Sequence, residues 1–240
     1  DALISAQSYA NIISILAKFI SRCQTKLVVT ERLVMSSATA AAKNRRERLL
    51  PTLMRWLYPK ADAIVGNSQA VAVDLVKFLR ISPDRVKVIY NPTLSPDILK
   101  RAKEPVTHPW FKPDEPPVIL GIGRLVLQKD FETLIRAFAV LRKQQSARLV
   151  ILGEGPLRED FQLLIQELGI HKDVDLPGFT DNPYRFLKAA SLFVLSSLYE
   201  GLPNALIEAL AVGTPAISTD CPGGSREILN DGTAGPLVPI

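Results

Sequence analysis

Short apolar runs alternate with stretches of helical periodicity along most of the chain. In the first part the predicted strands are 26–30, 61–67 and 85–90, and the predicted helices are 7–21, 40–57 and 69–79. In the second part the predicted strands are 117–123, 147–153, 173–177, 191–195, 215–219 and 235–238. The helices predicted between them are 130–144, 156–168, 183–189, 204–212 and 225–230. The strands are continuously apolar, which predicts parallel sheets with helices on both faces.

A proline-rich stretch interrupts this alternation. Between Asn91 and Pro117 six prolines precede Pro117, with charged residues and little periodicity. Such a stretch is typical of a domain linker. We therefore predict two similar α/β domains facing a cleft, with residues 1–104 in the first and 105–240 in the second. Ligands of open α/β sheets bind beyond the carboxyl ends of the strands, so the chemistry is expected in the loops that follow strands.

Charge is distributed unevenly over the 240 residues, whose formal net charge is +5. Residues 1–104 carry a net charge of +9 and residues 105–240 a net charge of −4. This asymmetry suggests that the first part faces an anionic partner such as a phospholipid surface or a phosphorylated acceptor, although an ordinary basic surface explains it equally well. Nucleic acid is not expected, because the aromatic platforms used for single strands are absent from the sequence.

The cysteines and the apolar stretches bear on the compartment. Cys23 and Cys221 lack any metal-binding spacing, and we interpret both as buried small residues in a reducing compartment. Charged residues interrupt every long apolar stretch before the roughly 20 residues of a membrane span. No secretory signal opens the sequence, and a cytoplasmic location is expected.

The first candidate site follows the strand predicted at 117–123. Gly121 and Gly123 allow a tight turn, and Arg124 and Lys129 place two cations beside the start of a helix. Cations and amides together suit a diphosphate. The alternative is that both cations are simply solvated.

The second candidate is the segment from Glu200 to Gly213. Pro203 fits the first turn of a helix, Gly213 fits its C-terminal stop, and the amides of residues 201–204 favour an anion. Glu208 lies within the apolar sequence Ala-Leu-Ile-Glu-Ala-Leu-Ala-Val, where a bare carboxylate needs hydrogen-bond donors. The two hydroxyls of a ribose would supply them, and a structural ion pair with Arg226 is the alternative.

Three further loops follow strands. Gly153-Glu154-Gly155-Pro156 is a second glycine turn or simply a tight connection. Phe179, after Pro177-Gly178, either faces a nucleotide base or packs in the core. The glycine-rich turn 222–227 is open to phosphate or sugar contacts, or to tight packing.

Several other groups suggest weaker hypotheses. Asp173 and Asp175 have the spacing of a metal-binding pair but begin a predicted strand, so no metal is expected. Neither His108 nor His171 is placed as a general base. The basic residues on and after helix 40–57 fit an anionic membrane or an ordinary solvated face; they are Arg45, Arg46, Arg48, Arg55 and Lys60.

These motifs in this order resemble the retaining family 4 glycosyltransferases, which have the GT-B fold of two Rossmann-like domains. The resemblance rests on the glycine turn with Arg124 and Lys129, on Gly153-Glu-Gly-Pro, on Gly178-Phe179, and on Glu200 and Glu208 followed by Gly213. It continues through Gly223-Gly224 and Glu227, and it covers residues 60–240 well and the earlier residues less well. Both domains are expected to be truncated relative to the family.

The resemblance implies a role for each matching residue. Arg124 and Lys129 hold the donor diphosphate and stabilise its departing charge, and Glu200 contacts the transferred sugar. Glu208 binds the ribose. The remaining substrate-binding positions, which surround the sugar, phosphate and base, are Gly123, Gly153, Phe179, Gly201, Leu202, Pro203 and Asn204.

The implied reaction is metal-independent transfer of a hexosyl unit with retention, from a UDP-sugar in preference to a GDP-sugar and without any further cofactor. The expected acceptor is a glycan or lipid-linked intermediate of cell-surface polysaccharide synthesis at the inner membrane face. Many family members have a histidine where this chain has Glu31 or Arg32. A non-catalytic regulatory subunit that binds nucleotide or glycan is the alternative, and a glycan phosphorylase is disfavoured because no lysine has a pyridoxal phosphate context.

Overall fold

The computed structural model describes residues 1–41 and 45–240, and the side chains of residues 45–48 lie outside that description. The described chain divides into two compact units. The first unit comprises residues 1–91 with the short segments 199–202 and 222–227. The second unit comprises residues 92–198, 203–221 and 228–240.

Parallel strands alternate with helices in the first unit. In chain order they are β1 (Ala2–Ala6), α1 (Ser8–Ser21), β2 (Lys26–Glu31), α2 (Met35–Ala40), α3 (Arg45–Leu57), β3 (Ala63–Gly66), α4 (Gln69–Leu79) and β4 (Val86–Val88). The strands form a parallel sheet in the order β1-β2-β3-β4. Its core is built from Leu27, Val29 and Ile64 on the strands and from Ile15 and Leu75 on the helices.

The second unit continues the same design. Its elements are α5 (Ile98–Ala102), β5 (Val118–Ile122), α6 (Phe131–Arg142), β6 (Arg148–Leu152), α7 (Arg158–Glu167), β7 (Val174–Gly178), α8 (Pro183–Ala189), β8 (Leu192–Leu195), α9 (Asn204–Ala211), β9 (Ala216–Thr219) and β10 (Leu237–Val238). The short helix α10 (Ser225–Ile228) lies between β9 and β10 in the chain.

The sheet of the second unit has the order β10-β9-β8-β5-β6-β7, and all its pairs are parallel. Its strands are buried on both faces. Leu120 and Val150 pack with Phe193 in one cluster, whereas Leu149 and Ile151 pack in a second cluster on the other side. Because both faces of these strands are buried, their sequences are continuously apolar and do not alternate with polar residues.

The parallel α/β architecture predicted from the sequence is confirmed, with three corrections. β1 was not predicted, because its short sequence carries little strand signal. The helix predicted at 40–57 contains α3, which begins at Arg45, and the preceding helix α2 was not predicted. The proline-rich stretch is not a free linker: it contains α5, whose Ile98 and Ala102 are buried in the core of the second unit.

The compact units therefore divide between residues 91 and 92, rather than after the predicted residue 104. The two segments 199–202 and 222–227 were also assigned to the second domain from the sequence. In the structure they belong to the first unit, where Glu200 N–H donates to the carbonyl of Pro222 at 2.8 Å.

Both cysteines were predicted to be buried, and this is wrong for Cys23. Cys221 is buried, but Cys23 is exposed. It follows the left-handed residue Arg22 at the end of α1, where the chain turns at the surface towards β2. There its sulfur lies 2.9 Å from the hydroxyl of Thr25.

Gly153 is predicted to be indispensable for the stability of the second unit. Its φ is +137°, and a Cβ there would lie 2.9 Å from the carbonyl carbon of Gly123 and closer still to its oxygen. Gly153→Ala should lower the free energy of unfolding by about 3 kcal/mol, measured by urea denaturation. Gly169→Ala is the matched control, because Gly169 also has a positive φ, +69°, but no neighbour within 4 Å. It should cost about 1 kcal/mol; equal losses for the two variants would contradict the packing argument.

Candidate functional site

The strand order of the second unit creates a switch point at β5. The chain runs from β5 through β6 to β7 in one direction and then returns to β8 on the other side of β5. The loops after β5 and β8 therefore start side by side at the carboxyl ends of these strands, but they run towards opposite sides of the sheet. Such a divergence opens a crevice between the loops. The two loops are joined by hydrogen bonds from Leu198 N–H to the Gln128 carbonyl, 2.8 Å, and from the Ser196 hydroxyl to the Lys129 carbonyl, 2.7 Å.

The loop after β5 carries the two predicted cations. Arg124 is exposed and Lys129 is half-buried. The aliphatic stem of Lys129 lies against Gly123, since a Cβ at position 123 would be only 3.1–3.3 Å from its side-chain carbons. Because Gly123 has no side chain, the stem of Lys129 can pack directly on the backbone of the turn. Both predicted cations belong to this one loop at the end of β5.

Backbone packing fixes the position of this loop. Gly123 N–H donates to the Leu152 carbonyl at 3.0 Å, and Leu125 N–H donates to the Glu154 carbonyl at 2.9 Å. Gly155 lies so close to Leu125 that a Cβ there would be 2.6 Å from the Leu125 nitrogen. The glycines of the 153–156 loop are therefore required for close packing against the cationic loop.

A cavity of about 450 Å³ lies beside these loops. Four of the predicted residues line it: Gly123, Arg124, Gly153 and Phe179. The ring of Phe179 is 79% exposed, which excludes the alternative that it is a core residue. The rest of the lining combines the apolar Ile122, Leu152 and Pro183 with the polar Glu154 and Thr180. Apolar surface beside polar groups and a cation suits a flat, partly polar ring joined to an anion.

Glu208 lies on α9 and is half-buried. Within the residues that the structure describes, its carboxyl forms neither a hydrogen bond nor an ion pair, so the proposed structural pairing with Arg226 does not account for it. Burial raises the pKa of Glu208 above its ordinary value. Its charge also contributes, after burial, to a raised pKa of Tyr184 on α8. A carboxylate with no partner at this depth suits a ligand that brings hydroxyl donors.

α9 begins at Asn204, as predicted, but the place of Pro203 differs from its prediction by one position. Pro203 precedes the first helical residue, Asn204, instead of occupying the first turn. No side chain caps this helix. The Oδ1 atom of Asn204 accepts a hydrogen bond from the Thr93 hydroxyl at 3.1 Å. α9 ends as predicted, with Gly213 in a left-handed conformation at φ +81°.

The remaining predicted residues, Glu200, Gly201 and Leu202, lie in the segment that belongs to the first unit. Glu200 and Leu202 are buried, with 5% and 8% of their surfaces exposed. The Gly201 carbonyl accepts hydrogen bonds from Gly224 N–H at 2.8 Å and from the Ser68 hydroxyl at 3.1 Å. A Cβ on Gly201 would be 2.9 Å from Oδ1 of Asn67, so only glycine fits there.

The structure therefore groups the predicted residues in two sets. Within the second unit, Gly123, Arg124, Lys129 and Gly153 form one contiguous loop cluster with Phe179 at its cavity. Pro203, Asn204 and Glu208 also belong to the second unit, at the start and on the face of α9. Glu200, Gly201 and Leu202 are held by the first unit.

Other hypotheses from the sequence have ordinary structural explanations. Asp173 forms ion pairs with Arg142, 2.9 Å, and with Arg148, and Asp175 lies 2.8 Å from His108 Nε2. Arg55 donates to the Phe78 carbonyl at 2.8 Å, so it serves the packing of α3 on α4. Arg45, Arg46 and Arg48 lie outside the residues whose side chains are described.

Comparison with known proteins identifies the family. A model described as "Glycosyl transferases group 1" matches residues 103–240, and one described as "Glycosyltransferase Family 4" matches residues 1–93. The chain is a family 4-type glycosyltransferase of the GT-B fold.

A curated relative supports this family. The N-acetylgalactosamine-N,N'-diacetylbacillosaminyl-diphospho-undecaprenol 4-alpha-N-acetylgalactosaminyltransferase of Campylobacter jejuni is 35% identical over 231 residues, covering 96% of this chain and 60% of the relative. This chain thus spans about three fifths of that protein's length.

Solved structures show the same fold. The lipopolysaccharide outer core galactosyltransferase WaaB in its apo form superimposes with a TM-score of 0.68 at 23% identity, covering 100% of this chain and 62% of that one. HepE from Anabaena, in complex with UDP and glucose, gives a TM-score of 0.73 at 21% identity, covering 98% and 64%.

Some residues of this glycosyltransferase's candidate site were missed in the sequence. Thr180 and Pro183 line the cavity with Phe179, and Tyr184 lies in the electrostatic field of Glu208. The available signal was their position shortly after Phe179, in the connection that follows β7 and at the start of α8. Asn67 was also missed: its Oδ1 is buried and has no hydrogen-bond partner within the described chain.

Glu208→Gln is predicted to change the pH dependence of stability. Because the pKa of Glu208 is raised in the folded state, its ionisation opposes folding as the pH rises from the ordinary carboxyl range through the folded-state pKa. The variant should therefore melt at the same or a higher temperature than wild type at pH 7, and the difference should vanish near pH 4. Thermal melts across this pH range provide the measurement. A variant that is less stable only at neutral pH would instead reveal a favourable partner for the carboxylate.

Proposed function

We propose that the protein transfers a hexosyl unit from a UDP-sugar to a glycan or lipid-linked acceptor, with retention of anomeric configuration and without a metal. The observation that carries the proposal is the cationic loop after β5, at the sheet switch point, beside the exposed Phe179 and the cavity. A diphosphate needs fixed positive charge and amide donors, which Arg124, Lys129 and the glycine turn supply together.

The carboxyl of Glu208, which has no hydrogen bond or ion pair among the described residues, supports the same donor. Ribose hydroxyls would donate to it and offset its desolvation. The name of the Campylobacter jejuni relative specifies a diphospho-undecaprenol acceptor, and the HepE structure contains UDP and glucose. These names support the choice of a lipid-linked acceptor and a uridine donor.

In the proposed reaction the acceptor hydroxyl attacks the anomeric carbon from the face on which the diphosphate departs. The C–O bond to the diphosphate breaks, the new glycosidic bond forms, and the acceptor proton passes to the leaving phosphate oxygen. The protein's main contribution is to stabilise the charge that develops on the diphosphate, through Arg124 and Lys129. Glu200 is proposed to contact the transferred sugar.

UDP binding tests the donor site directly. UDP at 100 times its dissociation constant should stabilise the chain by about 2.7 kcal/mol, seen as a rise in melting temperature, and GDP should stabilise it less. Lys129→Ala and Arg124→Ala should each abolish most of this rise, because each removes a cation from the diphosphate. Lys143→Ala, at the end of α6 outside the loop, is the control. The rise should persist in EDTA; a requirement for Mg²⁺, or an equal response in all variants, would contradict the proposal.

We propose further that the first unit associates peripherally with anionic membrane. No helix that the structure describes is long and apolar enough to cross a bilayer. At the end of α1, Phe19 is 73% exposed and Ile20 is 79% exposed. Arg22 and Lys60 lie beside them. The ammonium of Lys60 is 5.3 Å from the centroid of the Phe19 ring. Apolar side chains flanked by cations suit a surface of anionic lipids.

Vesicle sedimentation tests this association. Wild type should sediment with vesicles that contain phosphatidylglycerol and less with phosphatidylcholine alone, and the double variant Phe19→Ser, Ile20→Ser should lose most of this binding. Leu163→Ser, which removes a side chain 59% exposed on α7 of the second unit, is the matched control. Binding that ignores lipid charge, or that survives the double variant, would refute the proposed surface.

A further inference from the structure

A second cavity, of about 380 Å³, lies within the first unit. It is bounded by the start of α1, the end of β2 and the helices α2 and α3. Its wall includes Ser8, Tyr9, Glu31, Met35, Ala38 and Leu50. The donor chemistry described above uses none of these residues.

Glu31 is the unusual residue of this cavity. Only 3% of its surface is exposed, although it is a carboxylic acid at the end of β2. The Tyr58 hydroxyl and the Asn11 amide, the latter at 3.2 Å, both donate to the same oxygen, Oε1. Asn11 also donates to the Thr30 carbonyl at 2.9 Å. These bonds fix the carboxyl in one orientation, and the hydroxyl of Ser8 at the start of α1 is a further hydrogen-bond partner of this carboxyl.

Backbone donors lie on the same wall. α1 begins at Ser8, and the residue before it, Gln7, has a φ of +76° and provides no side-chain cap. The first amides of this 14-residue helix therefore have no capping side chain, and an acceptor oxygen is favoured in front of them. Gln7, Ser8 and Tyr9 all line the cavity.

Part of the cavity lining is apolar. Met35 and Leu50 are 5% and 7% exposed, and Ala38 is half-buried beside them. A buried hydrogen-bond acceptor, uncapped amides and an apolar surface thus surround one small space. Arg32 also lines the cavity, but a phosphate there would meet the fixed carboxyl of Glu31 and the apolar side chains, which both oppose a second anion.

We infer that this cavity binds the acylamino group of an acetamido sugar. The amide N–H would donate to the carboxyl of Glu31, the amide carbonyl would accept from the first amides of α1, and the methyl group would contact Met35, Ala38 and Leu50. An acetamido group carries one donor, one acceptor and one methyl, and each finds a partner here. The inference rests on the proposed function, because it makes the sugar part of the acceptor.

Ligand-observed NMR with the 240-residue chain tests this assignment. The probes are the methyl glycosides of 2-acetamido-2-deoxyglucose and 2-acetamido-2-deoxygalactose, each paired with the 2-hydroxy sugar. Saturation transfer should be strongest at the acetyl methyl of at least one acetamido sugar, and the 2-hydroxy sugars should bind about tenfold more weakly.

Two variants localise the binding. Glu31→Gln keeps an oxygen for Tyr58 and Asn11 but turns an NH2 donor towards the cavity, so affinity should fall about tenfold. Ala38→Leu should fill the methyl site and abolish the acetyl signal. Ala40→Leu, the same change at an exposed position of α2, is the matched control and should bind like wild type.

The thermal response to UDP is recorded for each variant as a measure of an intact fold. Unchanged acetyl signals in Glu31→Gln and Ala38→Leu, equal binding of the 2-hydroxy sugars, or displacement of the acetamido sugar by inorganic phosphate would overturn the inference. A wild-type chain that binds the acetamido sugar but not UDP would contradict the proposed donor instead.

Discussion

The close backbone packing between the loops after β5 and β6 is the constraint on which the candidate donor site depends. Gly153 and Gly155 bring one loop against the main chain of Gly123 and Leu125, at distances that admit no Cβ. This contact fixes the start of the loop that carries Arg124 and Lys129. A site for a diphosphate needs such rigidity, because fixed charges stabilise a developing anion without reorganising as it forms.

Two side chains of the second unit are placed where they do not stabilise the folded chain. Phe179 exposes most of its ring to solvent, and Glu208 is half-buried without a hydrogen bond or an ion pair in the described chain. Each is unfavourable for the isolated protein, and each matches one part of a nucleoside diphosphate. Unfavourable placements of this kind are common at functional sites.

The alternation of strands and helices could be predicted from the sequence because β5, β6 and β8 are apolar on both faces. The two ends of α9 could be predicted because a proline precedes the helix and a glycine follows it. The short strand β1 and the helix α5 were not readable: β1 lacks a strong pattern, and α5 lies among prolines that favour turns. Its burial through Ile98 and Ala102 is a tertiary effect.

The candidate site was only partly predictable for the same reason. Arg124, Lys129 and Glu208 stand out as charges in structured or apolar contexts, whereas Asn67 becomes noticeable only when its burial is known. Likewise, the sequence placed segment 199–202 in the second domain, because its contacts with Ser68 and Gly224 join residues far apart in the chain.

The central claim is that Lys129 stabilises the departing diphosphate during transfer with retention. The most direct test is the turnover of the full-length protein carrying Lys129→Ala, with Lys143→Ala as control and NMR of the new anomeric centre. The account predicts that kcat falls about 10²- to 10³-fold in Lys129→Ala, that the melting temperature hardly changes, and that an α-linked donor gives an α-linked product. Near-normal turnover in Lys129→Ala, or an inverted product, would contradict it.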